Sequence, residues 1–215
     1  MISIVTASIG RKTLKDLYLS LKTQKNPNWE WRIIFDGREG YSDIVEGFKE
    51  SSTRIFYKTY KGKRHCFGRE QRRLGIAESQ GDYIIIVDDD DLLRPNCIEV
   101  ISKIKTCDLI VWRTKADWLG RIVPDENIKN VHSITNGDIC INSYAFNRDL
   151  AERIKYPLCG FRRVHSPGIA CDFHFFTLLR RAARHPILLE NVLSEARHNY
   201  PGRGKEPEWV SRFGH

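Results

Sequence analysis

Four consecutive aspartates, Asp88-Asp89-Asp90-Asp91, follow the apolar run Tyr83-Ile84-Ile85-Ile86-Val87. Carboxylates this close repel one another, and a nearby cation relieves the repulsion. Hard oxygen donors suit Mg²⁺ or Mn²⁺, which commonly bridge protein carboxylates to phosphates. The plainer reading is a solvated turn into the next helix, with Leu92-Leu93 and Pro95 at its start, but a turn needs one or two aspartates rather than four. A further acid, Asp36, ends the run Ile33-Ile34-Phe35 and is followed by Gly37. From Arg54 to Arg73, eight basic residues (Arg54, Lys58, Lys61, Lys63, Arg64, Arg69, Arg72, Arg73) face one acid, Glu70. That stretch holds +7 of the chain's net +8.

These groups need elements to position them. Short β-rich runs at residues 2–5, 29–35, 54–57 and 83–87 alternate with helical patterns. From Thr13, Leu14, Leu17, Tyr18 and Leu21 recur at helical spacing; a short helix is expected over 44–48 and a longer one over 69–79. In the last, Arg69, Arg72 and Arg73 are predicted to share a face opposite Leu74, although a solvated basic face explains any one of them equally simply. Strand–helix repetition implies right-handed crossovers and a mainly parallel sheet, whose ligands bind beyond the carboxyl ends of the strands. Asp36 and the four aspartates stand at such ends. The second half is less regular. Strands are predicted over 109–113 and 138–146, part of a hairpin over 118–124, helices over 147–154 and 173–183, and short apolar runs at 187–189 and 192–193. Residues 157–168 and the tail from 197 have loop composition.

At 215 residues, with 41% hydrophobic and 29% charged, the chain suits one globular domain, spanning 1–215. No apolar run approaches the ~20 residues of a membrane-spanning helix, so no stable membrane insertion is expected. The N-terminus lacks the basic and apolar regions of a signal peptide, and a cytoplasmic location is expected. Six scattered cysteines have no zinc-like spacing and are read as reduced, buried small hydrophobes. Net positive charge points to an anionic partner: nucleic acid, a membrane surface or a phosphorylated small molecule. Its concentration next to acids and a cation suits a compact diphosphate better than a long polyanion.

The segment Gly81-Asp82-Tyr83-Ile84-Ile85-Ile86-Val87-Asp88-Asp89-Asp90-Asp91 resembles the Asp-x-Asp region of family-2-like glycosyltransferases with the GT-A fold. Arg72-Arg73-Leu74-Gly75-Ile76-Ala77-Glu78 is similar to their Arg-Asn-x-Gly-Ile helix, with Arg73 in place of Asn. Ile4-Val5-Thr6-Ala7-Ser8 and Asp36-Gly37 match the family's nucleotide-binding positions. The likeness covers residues 1–110 well and the rest loosely. It implies an α/β, Rossmann-like GT-A domain: a mainly parallel sheet flanked by helices, with a nucleotide-sugar-binding half (1–110) and a smaller, irregular acceptor-side half (111–215). It also implies a UDP-sugar donor, such as a UDP-glucose-like molecule, a glycan or glycoprotein acceptor, and Mn²⁺ or Mg²⁺. On that likeness Thr6 and Asp36 contact the uridine, and Arg69, Arg72 and Asp89 join the donor site. Asp88 lies near ribose or metal, and Asp90 ligates the metal.

On the acceptor side, Cys171-Asp172-Phe173-His174-Phe175-Phe176 is similar to the family's Glu-Asp before aromatics, with Cys in place of Glu. In inverting members that Asp is the general base, which must reach the acceptor hydroxyl; Asp172 is equally a good N-cap. The tail His198-Asn199-Tyr200-Pro201-Gly202-Arg203-Gly204-Lys205 is similar to the His-x-x-Gly-x-x-Lys tail of retaining, glycogenin-like GT-A enzymes, with one extra residue before Gly202. There His198 completes the metal shell and Lys205 holds the diphosphate; the outcome is then retention, and Asp172 orients substrate. A lone tail histidine is otherwise a surface residue. Trp112, Trp118 and Trp209 could stack on a sugar, core packing being the commoner use. More loosely, the whole chain is similar to small glycosyltransferase domains of large DNA viruses such as chlorella viruses, for which the host cytoplasm is the expected location.

Two other functions compete. A nucleotidyltransferase acting on a sugar phosphate also uses paired aspartates, but it needs a Gly-rich loop after the first strand, and residues 6–11 hold one glycine. A basic nucleic-acid-binding module leaves the aspartates unexplained, because without a metal they repel phosphates. No nucleic-acid partner is expected.

Overall fold

A computed structural model describes residues 1–37, 42–49, 54–60, 68–156 and 171–197. The first half runs β1 (Ile2–Ser8), α1 (Leu14–Lys22), β2 (Trp29–Asp36), α2 (Ser42–Lys49), β3 (Ile55–Tyr60), α3 (Arg69–Glu78) and β4 (Tyr83–Ile86). The second runs β5 (Leu92–Leu93), α4 (Cys97–Ser102), β6 (Leu109–Ala116), β7 (Arg121–Val123), β8 (Tyr144–Asn147), α5 (Arg148–Arg153), α6 (Cys171–Ala182) and β9 (Pro186–Ala196). Short 3₁₀ turns occupy Asp117–Leu119 and Val131–Ser133.

The nine strands among the described residues join one sheet in the order β3-β2-β1-β4-β8-β6-β9-β5, with β7 paired to β6. The first four strands are parallel, as the strand–helix repetition predicts. Beyond β4 the sheet is mixed: β8 is antiparallel to β4 and β6, β9 is parallel to β6, and β5 is antiparallel to β9.

Strand alternation sorts the core onto two faces. Ile2 and Ile4 join Trp31, Ile33 and Phe35 on one face, covered by Leu14, Leu17 and Leu21 of α1, Phe48 of α2 and Ile98 and Ile101 of α4. Val5, Ile84 and Ile86 join Val111, Tyr144 and Phe146 on the other, covered by Leu150 of α5 and by Phe175, Phe176 and Leu179 of α6. Each such side chain stabilises the fold by about 1.5–3 kcal/mol. That burial, rather than capping, holds α1, whose N-cap residue Thr13 makes no side-chain cap bond. Helix α3 packs on the second face through Gly75, where a Cβ would stand 2.5 Å from Val5 Cγ1.

Three elements differ from the sequence expectation. Leu92-Leu93 do not begin a helix; they pair with Ser194 and Glu195. The two short apolar runs near the end form the single strand β9, with register shifts where it crosses Val111, Arg113 and Thr114. Of the strand predicted over 138–146, only the end forms. Thr135 donates to Asp138, and Cys140 and Ser143 close a turn, so local side-chain bonds displace the ladder. Cys97, Cys107 and Cys140 are free thiols, two of them buried, as expected; the other three cysteines carry no described side chain. Among the described residues no helix is long and apolar enough to cross a membrane.

Candidate active site

The carboxyl ends of β1, β2 and β4 lie side by side, and the start of α3 closes over them. Gly68 precedes that helix with φ of 72°, and a Cβ there would stand 2.8 Å from Ala7 Cβ. This close approach brings Gln71 and Arg72 onto the wall of a cleft of about 460 Å³, lined also by Ala7, Ser8, Ile9, Arg11, Asp36, Asp88 and Asp89. The N-terminal end of α3, at this edge, is favourable to anions.

One wall is a fixed chain of bonds. Arg72 is buried; its Nη2 donates to Asp88 Oδ1 at 2.5 Å and its Nη1 to the Tyr156 hydroxyl at 3.3 Å. Beside it, Gln71 Nε2 donates to Asp36 Oδ1 at 3.1 Å. The opposite wall is the loop after β1. Ser8 Oγ donates to Asp89 Oδ2 at 2.7 Å and accepts from the Gly10 N–H, while Ile9 N–H also donates to Asp89. Arg11 Nη1 bridges Asp89 Oδ1 at 3.1 Å and Asp90 Oδ2 at 2.9 Å. Below them, buried Asp91 accepts from the Arg197 N–H at 2.8 Å, Arg197 Nε donates to the Asp90 carbonyl, and Arg197 Nη2 donates to Asp16.

The aspartates therefore sit in unlike environments. Burial pushes the Asp89 carboxyl up, against the pull of Ser8 and Arg11. Asp90 is raised by burial and by Asp88 and Asp89, against Arg11. Asp91 is raised well above the ordinary carboxylate range by burial, with Asp88 and Asp90 adding to it. Two carboxylates remain open enough to meet a ligand, Asp88 at 31% and Asp90 at 14% side-chain exposure. As hard oxygen donors next to a diphosphate-sized cleft they fit Mg²⁺ or Mn²⁺, which often takes one or two protein carboxylates and completes its shell with phosphate and water. Among the described residues no cluster of three or more His, Cys, Asp or Glu could hold a metal unaided.

Asp36, Arg72, Asp88 and Asp89 thus come together on the cleft, and Asp90 is joined to it through Arg11. Thr6 does not join them. It is fully buried, and its hydroxyl accepts from Trp31 Nε1 at 2.9 Å. Strand parity puts Thr6 on the α1 face with Ile4; of this end of β1, Ala7 and Ser8 line the cleft. The predicted arginine face also divides. Arg72 points into the cleft, Arg73 pairs with Glu70 at the surface, and Arg69 is half-buried off the cleft wall. Elsewhere in the basic stretch, Lys58 pairs with Glu78 and Arg54 lies over the Trp29 ring, so among the described residues only Arg72 of that stretch lines the cleft. Lys61, Lys63, Arg64, His198, Lys205 and Trp209 lie outside the described residues, as does the side chain of Asp172, whose backbone begins α6. Trp112 is a core residue bonded to Ser194 Oγ.

Sequence reasoning passed over Arg11, Gln71, Tyr156 and Arg197, and included Ser8 only as the end of a segment that resembles nucleotide-binding positions. The available signal was a polar residue at the end of an apolar strand: Ser8 ends β1 as Asp36 ends β2.

Comparison with known proteins agrees with this geometry. Residues 3–106 match the profile of the family described as "Glycosyl transferase family 2". A Haemophilus influenzae protein described as an uncharacterized glycosyltransferase is 29% identical over 105 residues, 48% of this chain and 34% of that protein. Among solved structures, S. aureus TarS 1-349 superposes with a TM-score of 0.72 at 16% identity, over 91% of this chain and 60% of TarS 1-349. The same TarS fragment in complex with UDP-GlcNAc gives 0.71 at 14% identity, over 98% and 60% of the two chains. A Pyrobaculum calidifontis mannosyltransferase, PcManGT, in complex with GDP-Man and Mn²⁺, gives 0.63 at 12% identity, over 94% and 58%. The chain spans about a third of the curated relative and about 60% of these solved chains. The shared fold is the GT-A fold.

Proposed function

Residues 3–106 are a glycosyl transferase family 2 domain of GT-A fold, and from that premise we propose that this protein transfers a sugar from a nucleotide-sugar, a UDP-sugar in the first instance, to a hydroxyl of a glycan or glycoprotein. The observation that carries the reading is the convergence of Asp36, Arg72, Asp88 and Asp89, from the ends of two parallel strands and one helix, on a single cleft. Both donor classes bound by the structural relatives, UDP-GlcNAc in TarS and GDP-Man in PcManGT, end in a sugar diphosphate.

In this reading Asp36 and Gln71 receive the nucleoside. Arg72, held by Tyr156, keeps the Asp88 carboxylate oriented towards ribose or metal. Asp88 and Asp90 would hold Mn²⁺ or Mg²⁺, which would supply positive charge for the departing nucleoside diphosphate. Arg11 and, from the tail, Lys205 add positive charge beside that leaving group, and His198 joins the metal ligands. Asp172, at the start of α6, takes the acceptor hydroxyl's proton or orients the acceptor. The experiment is donor hydrolysis across UDP- and GDP-sugars with Mn²⁺, with Asp90→Ala as control. Hydrolysis of a UDP-sugar that falls at least about a hundredfold in the variant supports the assignment. Oligonucleotide binding with no UDP or UDP-sugar binding overturns it.

A further inference from the structure

Arg11 lines the cleft and bonds a carboxylate, Asp90, that a divalent cation would also take. Its Nη1 lies 2.9 Å from Asp90 Oδ2 and 3.1 Å from Asp89 Oδ1. Asp89 has other partners, Ser8 Oγ and the Ile9 N–H, whereas among the described residues Asp90's carboxylate has no cation within ion-pair distance except Arg11. Arg197 binds only the Asp90 carbonyl. The guanidinium therefore supplies positive charge to two adjacent carboxylates. It does so from the loop between β1 and α1, with 45% of the side chain exposed and no further hydrogen bond from the guanidinium among the described residues. Arg72, in contrast, is 9% exposed and bonded on two sides. A guanidinium so lightly held can turn about its own side-chain torsions, and its planar fork matches phosphate as well as carboxylate.

We propose that Arg11 is an exchangeable counter-cation. It occupies Asp90 in the empty site, yields that carboxylate to a divalent cation, and binds the diphosphate of the incoming donor. Arg11 is then a donor-binding residue with two successive partners, and it makes the metal and the nucleotide help each other to bind. The proposal rests on the donor-binding function inferred above and adds to it a prediction of opposite sign for two ligands.

The test measures Mn²⁺ alone by titration calorimetry or by the EPR signal of the free ion, and UDP at saturating Mn²⁺, on the full chain. In Arg11→Ala, Mn²⁺ alone binds about fivefold more tightly, the scale of losing a partly exposed ion pair that competes for the ligand. UDP with Mn²⁺ binds about tenfold more weakly, the scale of one charge-assisted phosphate contact. Arg11→Gln, a milder change, shows both shifts in the same directions. Lys12→Ala, which removes a neighbouring exposed charge outside this ion pair, shifts neither. A misfolded variant loses both affinities and an uninvolved residue changes neither, so only opposed shifts support the exchange. Unchanged or weaker Mn²⁺ binding in both Arg11 variants overturns it, as does an equal gain in Lys12→Ala. If the wild-type chain binds UDP normally and the variants match it, this inference alone fails. If the wild-type chain binds neither Mn²⁺ nor UDP, the proposed function fails with it.

Discussion

Two aspartate–arginine pairs flank the end of β4, and they are built with opposite burial. In Arg72–Asp88 the arginine is the buried partner, 9% against 31% exposed; in Arg11–Asp90 it is the open one, 45% against 14%. Arg72 is set on a helix that touches the sheet through Gly75, and Tyr156 fixes its other nitrogen. Arg11 stands on a loop and reaches back to carboxylates that are themselves held down by Ser8 and by the backbone. The same chemical pair therefore serves as framework on one side of the strand end and as an exchangeable contact on the other. Loss of one partner should distinguish them, since an unpaired charge is costly when buried and cheap when exposed.

The largest effect expected is on turnover, and it tests whether both acids serve the donor. Asp88→Ala and Asp90→Ala should each lower UDP-sugar hydrolysis at least about a hundredfold, the usual scale for losing a group aimed at the charge of the leaving group. Their stabilities should differ. Asp88→Ala leaves the Arg72 cation buried without its carboxylate and lowers the melting temperature. Asp90→Ala frees an exposed arginine and relieves repulsion with Asp88 and Asp89, so it leaves the melting temperature level or slightly raised. Equal destabilisation by the two variants, measured by thermal unfolding without metal, removes the distinction drawn between the pairs.

The arginines give the next effect. Arg72→Met keeps the volume of the stem but removes the donor to Asp88 and Tyr156, and should cost about 2 kcal/mol, less than a fully buried pair because Asp88 is partly in water. Arg11→Ala should stay within about 0.5 kcal/mol of wild type, as surface changes generally do. Urea unfolding of the two variants side by side measures both numbers. A loss in Arg11→Ala as large as that in Arg72→Met makes Arg11 a structural residue and removes the freedom its exchange requires.

The acidic end of this comparison was legible in the sequence, and of the basic end only Arg72 was. Asp36 and Asp88 to Asp91 each follow an apolar run that can only be a strand, so parallel topology alone brings them to one edge. Thr6 shows where such reasoning stops. Every residue of β1 but Ala7 is buried, so the run reads as continuously apolar or small and conceals which residues share a face. Only packing, with Trp31 on one side and Gly75 on the other, sets the parity that turns Thr6 away from the cleft. Arg11 adjoins Lys12 in a loop and looks like ordinary surface charge until it is seen beside residues 78 and 79 positions away. Arg197 bonds to Asp16 across 181 positions and to Asp91 across 106, contacts no local pattern encodes. Helix α3 misled for another reason. Three arginines at helical spacing suggest one basic face, but the face that meets the sheet is Gln71, Arg72 and Gly75, chosen by the close approach that glycine permits.

The smallest effect concerns the acid that neither arginine reaches through its carboxylate. Asp91 lies beneath both pairs, buried, with its Oδ1 accepting from the Arg197 N–H. Burial and its acidic neighbours raise its carboxyl in the folded protein, so the folded state holds the proton to higher pH than the unfolded chain does. Its contribution to stability is therefore full at low pH and declines as pH rises above the ordinary carboxylate range. Asp91→Asn keeps the accepting oxygen and never ionises. The variant should match wild type near pH 4 and melt higher at pH 7.5, by on the order of 3 °C for about 1 kcal/mol in a chain this long. Saturating Mn²⁺ and UDP should narrow the gap by stabilising the ionised cluster in wild type. A gap that persists at pH 4, or that reverses sign at pH 7.5, places the value of Asp91 in its bond to Arg197 rather than in its charge. The strain that the two arginines relieve then ends at Asp90.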